Sequence, residues 1–217
     1  MINQFSFLIN PLLETLYMVF LSGIFGLIIG FPLGIMFYAT EKEGLWENRF
    51  LNSILGVLIN IGRSFPFIIL MIVLSPISRV IIGSSIGTTA SIVPLSIAAA
   101  PFFARIVENS LKEVNPGVIE ASLAMGASNF QIIFKVLIPE ALPSLVLGTT
   151  LTVINLIGYS AMAGAIGGGG LGDLAIRYGF YRFQGDIMII SVIVIIILVQ
   201  GVQLLGNKIA ISLNKNR

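Results

Sequence analysis

The 217-residue chain contains neither cysteine nor histidine. Without cysteine it has no disulfide, Fe–S cluster or thiol nucleophile, and without histidine it lacks the commonest zinc ligand and imidazole acid/base catalysis. Charged residues make up only 10% of the chain, against about 25% in an ordinary soluble domain. The formal net charge is +2 and no basic cluster alternates with aromatic residues, so nucleic acid is not expected as a partner. Together these absences exclude most familiar enzyme chemistry.

Apolar residues are abundant instead, at 56% of the chain with a mean hydropathy of +1.01. A bilayer core about 30 Å thick needs about 20 helical residues, and four charge-free runs are that long: 15–40, 80–104, 141–172 and 187–207. A fifth run is interrupted by Arg63, and we interpret it as one helix from near Ile59 to near Arg79. The sequence therefore predicts an all-α integral membrane protein, a single domain over residues 1–217 with five transmembrane helices. Their approximate bounds are 12–40, 55–82, 85–107, 140–166 and 187–208.

The distribution of lysine and arginine predicts the orientation of these spans. One set of connections holds Lys42, Arg49, Arg105, Lys112, Lys135, Lys208, Lys215 and Arg217. The alternate connections hold only Arg79, Arg177 and Arg182, and the first eleven residues hold no basic side chain. Since basic residues favour the cytoplasmic side, we expect the N-terminus outside and the C-terminus inside a bacterial cytoplasmic (inner) membrane.

The connection over residues 110–138 is longer than packed helices need, and it carries helix signals. Asn115 followed by proline predicts a helix start, and Gly126 predicts the end of a helix over about 116–125. Ser128 and Gln131 fit a capping box that begins a second short helix, and Pro139 with Pro143 predicts a bend into the fourth span. From composition alone, two interfacial helices that merely connect spans remain an alternative.

The same segment carries a longer motif. Glu120-Ala121-Ser122, Gly126 and Val136-Leu137-Ile138-Pro139 follow the spacing E-A-A-x3-G-x9-I-x-L-P, with three conservative replacements. This pattern resembles the EAA motif of permease subunits of ABC importers. Residues 63–67, 100–105 and 158–172 look like the methionine-uptake branch of that family.

The resemblance implies the type I ABC importer permease architecture and a function, the inward movement of methionine by alternating access. It implies a homodimer joined by two ATPase subunits, which bind ATP and Mg, and by an extracytoplasmic methionine-binding protein. This chain has no G-x-x-x-x-G-K-[ST] phosphate loop, so we expect it to hold no cofactor and not to be an enzyme itself. By resemblance, the residues that couple to the ATPase are Glu120, Ala121, Ser122, Gly126, Ala127, Ser128 and Pro139.

The fourth span is the predicted lining of the translocation path, because it carries polar groups that lipid would not favour. The candidate path and gate residues are Asn155, Tyr159, Ser160 and Met162. Hydrogen bonding between helices inside one subunit is the alternative for these polar groups. Arg63 is a candidate functional charge, although snorkelling to the cytoplasmic interface would also explain it.

Simpler interpretations apply to other features. The glycine run 164–172 predicts a flexible turn or close helix packing, with an outer gate as the alternative. Glu14 and Glu140 fall at span ends and are expected at the interface, while Glu108 and Glu113 are expected on a solvated face. A permease for another amino acid or small solute remains the nearest alternative function. An integral membrane channel or enzyme is disfavoured, because a channel leaves the coupling motif unexplained and an enzyme lacks a convergent acid/base constellation.

Overall fold

The computed structural model describes residues 2–215, with side chains described from residue 7 to residue 214. The long helices are α1 (Ile2–Ala39), α2 (Arg49–Ser64), α3 (Phe67–Ile82) and α4 (Thr88–Lys112). They are followed by α5 (Pro116–Ala124), α6 (Asn129–Ile132), α7 (Ile138–Gly164), α8 (Gly170–Leu174) and α9 (Gly185–Lys215). Two π-helical turns, Ile133–Leu137 and Ala175–Phe180, lie before α7 and after α8. No strand occurs in this described part, which agrees with the predicted all-α class.

Within the described residues, four helices are long and apolar enough to cross a membrane: Phe7–Ala39, Thr88–Lys112, Asn129–Gly164 and Gly185–Asn214. Helices α2 and α3 pass the same test only as a pair, and they meet at an angle of 107°. Counting the bent pair as one span gives the five spans expected from the sequence.

The prediction of one helix through Arg63 is therefore wrong. Helix α2 ends at Ser64, Phe65 is extended at φ −74° and ψ 124°, and Pro66 precedes the first residue of α3. A residue before proline is disfavoured in the helical region because the proline ring clashes with its backbone, and proline itself donates no hydrogen bond. The break thus follows from Pro66, whose effect cannot be seen from the apolar character of the run alone.

Helices α1 and α4 form the centre of the bundle through a stripe of small residues. A Cβ atom on Gly26 would lie 2.6 Å from the Cβ of Ala99, and one on Gly30 would lie 2.6 Å from the Ala100 carbonyl oxygen. Small residues spaced by four on one helix face let two backbones approach, as in many membrane bundles. The first span is therefore held inside the subunit by backbone proximity.

The fourth span is longer than predicted. The chain is helical without a sharp bend from Asn129 to Gly164, so the expected second short helix is the first turn of this span. The predicted bend at Pro139 and Pro143 is wrong for a physical reason. A π-helical turn, 133–137, ends two residues before Pro139, and it widens the helix around Lys135, whose carbonyl the proline ring would otherwise meet.

Glu108 is also misplaced by the sequence reasoning. Its side chain is only 3% exposed, and it lies 2.7 Å from Arg105 and 2.9 Å from Lys112. Lys112 continues the network to Glu41, at 2.9 Å, and so joins the end of α4 to the end of α1. Glu108 is thus a buried, paired carboxylate rather than part of a solvated face, whereas Glu113 is exposed as expected.

Candidate translocation path and coupling segment

The predicted coupling connection is 110–138, and residues 115–131, called the coupling segment, hold most of its candidate coupling residues and begin with a capped helix. The Asn115 side-chain oxygen accepts a hydrogen bond from the Gly117 N–H at 2.9 Å, and Pro116 occupies the first helical position. At the other end Gly126 has φ +80°, its N–H donates to the Leu123 carbonyl, and the Ala127 N–H donates to the Ser122 carbonyl. This is the Schellman pattern that glycine favours, so the predicted end of α5 is confirmed.

A capping box starts the next helix. The Gln131 N–H donates to the Ser128 hydroxyl at 3.4 Å, and the Ser128 N–H donates to the Gln131 side chain at 2.9 Å. The Asn129 amide donates to the Leu45 carbonyl at 2.6 Å, and the Phe130 ring packs edge-on against Trp46 with centroids 5.1 Å apart. These contacts attach the coupling segment to the connection between α1 and α2.

The coupling segment presents an apolar surface to its surroundings. Met125 is 81% exposed, and Leu123 and Phe130 are also exposed, next to the exposed backbone of Gly126. Glu120, Ala121, Ser128 and Pro139 are exposed too, while Ala127 is half-buried. Ser122 differs, because it is buried and its hydroxyl donates to the Val118 carbonyl at 2.7 Å. A projecting apolar patch of this kind is typical of a protein contact surface.

A cavity of about 190 Å³ lies where α2, α3, α4 and α7 meet. Its lining includes Arg63, Phe67, Phe102 and Tyr159, which come from three segments far apart in the sequence. The rings of Phe67 and Tyr159 stack in parallel, with centroids 4.7 Å apart and an interplanar angle of 6°. The break after α2 therefore brings a guanidinium group beside an aromatic wall formed partly by the fourth span.

Sequence reasoning named Arg63 and Tyr159 but did not place them in one cavity, and it missed Phe67 and Phe102. The available signal was the occurrence of all four in the segments 63–67, 100–105 and 158–172, which carried the family resemblance. What was missing was the packing of α2 and α3 against α4 and α7, because the sequence does not show which remote rings meet Arg63 and Phe67.

The other path candidates behave differently. Met162 is 45% exposed on α7, and Asn155 is half-buried with no hydrogen bond to any residue in the described range. The alternative of an intra-subunit hydrogen bond is thus not found for Asn155. Ser160 is only 2% exposed, and its hydroxyl donates to the Ile157 carbonyl at 2.7 Å. Its expected place on the path is corrected, since this side chain points into the subunit.

The glycine run closes the far end of α7. Gly169 and Gly170 both have φ +78°, and the Gly170 N–H donates to the Glu14 carboxylate at 2.7 Å. The Leu171 N–H donates to the Thr15 hydroxyl at 2.9 Å. A Cβ on Gly172 would overlap the backbone of Ala161, so this turn is tightly packed. Glu14 therefore contacts the turn from within α1.

Comparison with known proteins agrees with this architecture. Residues 30–206 match the family described as the binding-protein-dependent transport system inner membrane component. A probable D-methionine transport system permease protein of Vibrio cholerae is 53% identical over 89% of this chain and 86% of its own length. A methionine import system permease protein of Bacillus subtilis is 44% identical over 95% of this chain and 93% of its own length. A chain of the inward-facing MetNI methionine ABC transporter superposes with a TM-score of 0.95 at 46% identity, covering 97% of this chain and 98% of that one.

The helical fold, the bent second span and the capped coupling segment define a membrane transport permease of the type I ABC importer architecture. The chain belongs to the family of binding-protein-dependent transport system inner membrane components. Its place is accordingly the inner membrane, and its class is a transport system component.

Proposed function

We propose that this chain is the permease subunit of an ATP-driven ABC importer, forming the path by which methionine crosses the cytoplasmic membrane through alternating access. The observation that carries the proposal is the agreement of nearly the whole chain with methionine permeases, 46% identical in a superposition with a TM-score of 0.95. Relatives in two distant bacteria, both named for methionine transport, support the same substrate.

The partners follow from the same proposal. The chain has no phosphate loop, so ATP and Mg are bound by two separate ATPase subunits. The exposed apolar surface around Leu123, Met125 and Gly126 is their contact site, and closure of the ATPases reaches α7 through the capped segment. A second copy of the chain completes the path, and an extracytoplasmic methionine-binding protein delivers the substrate at the opposite end of the bundle.

The cavity beside Arg63 suits an amino acid with an apolar side chain. A guanidinium group binds a carboxylate through two parallel hydrogen bonds, and Arg63 forms no ion pair with any carboxylate among the described residues. The aromatic rings of Phe67 and Tyr159 offer the polarizable contact that a thioether sulfur favours. We therefore assign Arg63 to the substrate carboxylate and Tyr159 to the side chain, with Asn155 and Met162 extending the lining.

The same lining argues against a basic amino acid as substrate. A lysine or arginine side chain would need a carboxylate to compensate its charge in a low-dielectric path. The cavity lining contains no acidic residue. An importer for another uncharged amino acid remains the second candidate, because the coupling segment contacts the ATPase and does not specify which substrate is transported.

Uptake of labelled methionine tests the proposal, using vesicles that contain the chain, its ATPase, ATP and the binding protein. We expect Arg63→Gln to lower methionine uptake roughly tenfold while ATP hydrolysis without substrate stays unchanged. Arg79→Gln, at the far end of α3, is the matched control and should transport normally. If the unchanged protein takes up another uncharged amino acid faster than methionine, the substrate assignment fails. If Arg63→Gln transports normally, only the assignment of Arg63 fails.

A further inference from the structure

A second pocket lies at the end of the bundle opposite the coupling segment. It has a volume of about 350 Å³ and is formed by the start of α1, the turn that precedes α9 and the first turns of α9. Phe7 and Leu8 of α1 face Ile187 and Ile190 of α9 across its apolar part. This pocket shares no residue with the cavity beside Arg63, so the transport path does not account for it.

The polar part of the pocket carries two opposite charges. Arg182 and Asp186 both line it, and neither forms an ion pair with a residue in the described range. The Arg182 guanidinium lies 4.4 Å above the centre of the Tyr178 ring, which holds it at the pocket while leaving its N–H donors free. Asp186 is in the first turn of α9, where the helix dipole stabilises a carboxylate.

The pocket has a polar end and an apolar end, which follow each other along α9 as the headgroup and acyl chains of a lipid do in a bilayer. Along α9 the lining runs from Asp186 at the helix end to Ile187 and then Ile190, toward the apolar middle of the helix. The adjoining turn exposes Tyr181 and Phe183, the latter 92% exposed, as expected of aromatic residues at headgroup level. Because most of α9 is exposed, the apolar end of the pocket opens toward lipid chains.

We propose that this pocket binds a phospholipid whose headgroup carries both a phosphate and a primary ammonium, that is, phosphatidylethanolamine. Arg182 donates hydrogen bonds to the phosphate, and the Asp186 carboxylate accepts them from the ammonium. One acyl chain lies against Phe7, Leu8 and Ile190. A choline headgroup has no N–H to donate to Asp186, and a glycerol headgroup offers only uncharged hydroxyl donors, so neither forms the charge-assisted hydrogen bond that a primary ammonium forms with this carboxylate.

Native mass spectrometry of the full-length chain, delipidated in detergent, tests the site. The probes are phosphatidylethanolamine, phosphatidylcholine and phosphatidylglycerol at equal concentrations. We expect phosphatidylethanolamine to be retained in preference, and Arg182→Gln to weaken its binding roughly tenfold. Asp186→Asn should lower its binding to the level of phosphatidylcholine. Arg79→Gln, an exposed arginine at the same end of the bundle but outside the pocket, should bind as the unchanged protein does.

Two results would overturn the proposal: equal binding of all three lipids to the unchanged protein, and unaltered phosphatidylethanolamine binding in Arg182→Gln. If, in the second case, Arg182→Gln also weakens association of the extracytoplasmic binding protein, this face is a protein contact. Arg182 and Asp186 are both exposed, so variants at these positions are expected to fold. Thermal midpoints equal to that of the unchanged protein verify this.

Discussion

At the scale of single residues, Glu14 shows how an isolated charge is used inside an apolar helix. Its carboxylate lies in α1 and accepts a hydrogen bond from the backbone of Gly170, while the next residue, Thr15, accepts one from Leu171. Two side chains of the first span thus satisfy backbone donors of the glycine turn, which in an apolar setting have no water to replace them. The turn therefore keeps its shape partly through α1, in addition to its own positive-φ glycines.

Glu14→Ala is therefore expected to destabilise the folded subunit by about 1–3 kcal/mol, because the buried donor on Gly170 loses its acceptor. The expected signs are a lower thermal midpoint of the detergent-purified protein and reduced transport. Glu14→Gln keeps an acceptor oxygen at the same place and should behave much more like the unchanged protein. Equal loss in both variants would show that charge, and not the hydrogen bond, is what the turn requires.

At the scale of elements, the coupling segment is specified almost completely by its local sequence. Asn115, Gly126 and Ser128 each make the backbone contacts that their residue types favour in isolation. A Cβ at Gly126 would meet nothing within 4 Å, so the only local obstacle to another residue there is the positive φ. Substitutions at this position therefore separate backbone strain from crowding.

Gly126→Val is expected to misplace the start of the fourth span, because a β-branched residue strains at φ +80°, at a cost of about 1–3 kcal/mol. Membrane insertion should survive, whereas copurification of the ATPase or substrate-linked ATP hydrolysis should be lost. Gly126→Asn is the matched control, since asparagine tolerates the left-handed region and should retain much of the coupling. Intact copurification and hydrolysis in Gly126→Val would remove this segment as the coupling site.

At the scale of the whole molecule, a single chain does not enclose the proposed translocation path. The face of α7 that carries Met162 is exposed, and the cavity beside Arg63 is lined from one subunit only. A second copy related by a two-fold axis would cover this face with the same residues and double the lining. The open cavity is thus consistent with the homodimer proposed above.

Met162→Cys should form a covalent dimer under mild oxidation, because residues close to a two-fold axis meet their own copies. The chain contains no other cysteine, so any cross-link reports this position alone. Met162→Trp should lower methionine uptake without lowering complex yield, since this side chain is exposed and does not crowd the core. Normal transport by Met162→Trp, together with no cross-link, would place the path on another face.

Orientation in the membrane is tested by two further cysteine variants. Ser84 lies in the connection between α3 and α4, and Asn214 lies near the end of α9; both are exposed. If basic residues mark the cytoplasmic side, Ser84→Cys should react with an impermeant thiol reagent added to intact cells and Asn214→Cys should not. The N-terminus is also predicted to lie outside, but the side chains of residues 1–6 are outside the described range. Ser84 is therefore the better outer probe. The reverse labelling pattern would contradict the predicted orientation.

The sequence by itself determined the class of the protein and the helix caps of the coupling segment. Apolar runs report spans because the bilayer leaves backbone polar groups no partner except their own helix. Caps such as Asn115, Gly126 and Ser128 are equally local, since each side chain or φ value acts within a few residues. These features could be predicted because their causes lie close together in the chain.

Only the tertiary structure decided where the remote residues meet. Pro66 explains why the helix breaks, but the 107° angle between α2 and α3 depends on how both helices pack against α4. The fourth span continues past Pro139 through a π-helical turn that composition does not reveal. Burial likewise separated Ser160 from Tyr159 and Glu108 from Glu113, although the sequence analysis expected the same environment for both members of each pair. Which face of a helix finds a neighbour is a property of the assembled bundle, because side-chain partners come from segments far away in the chain.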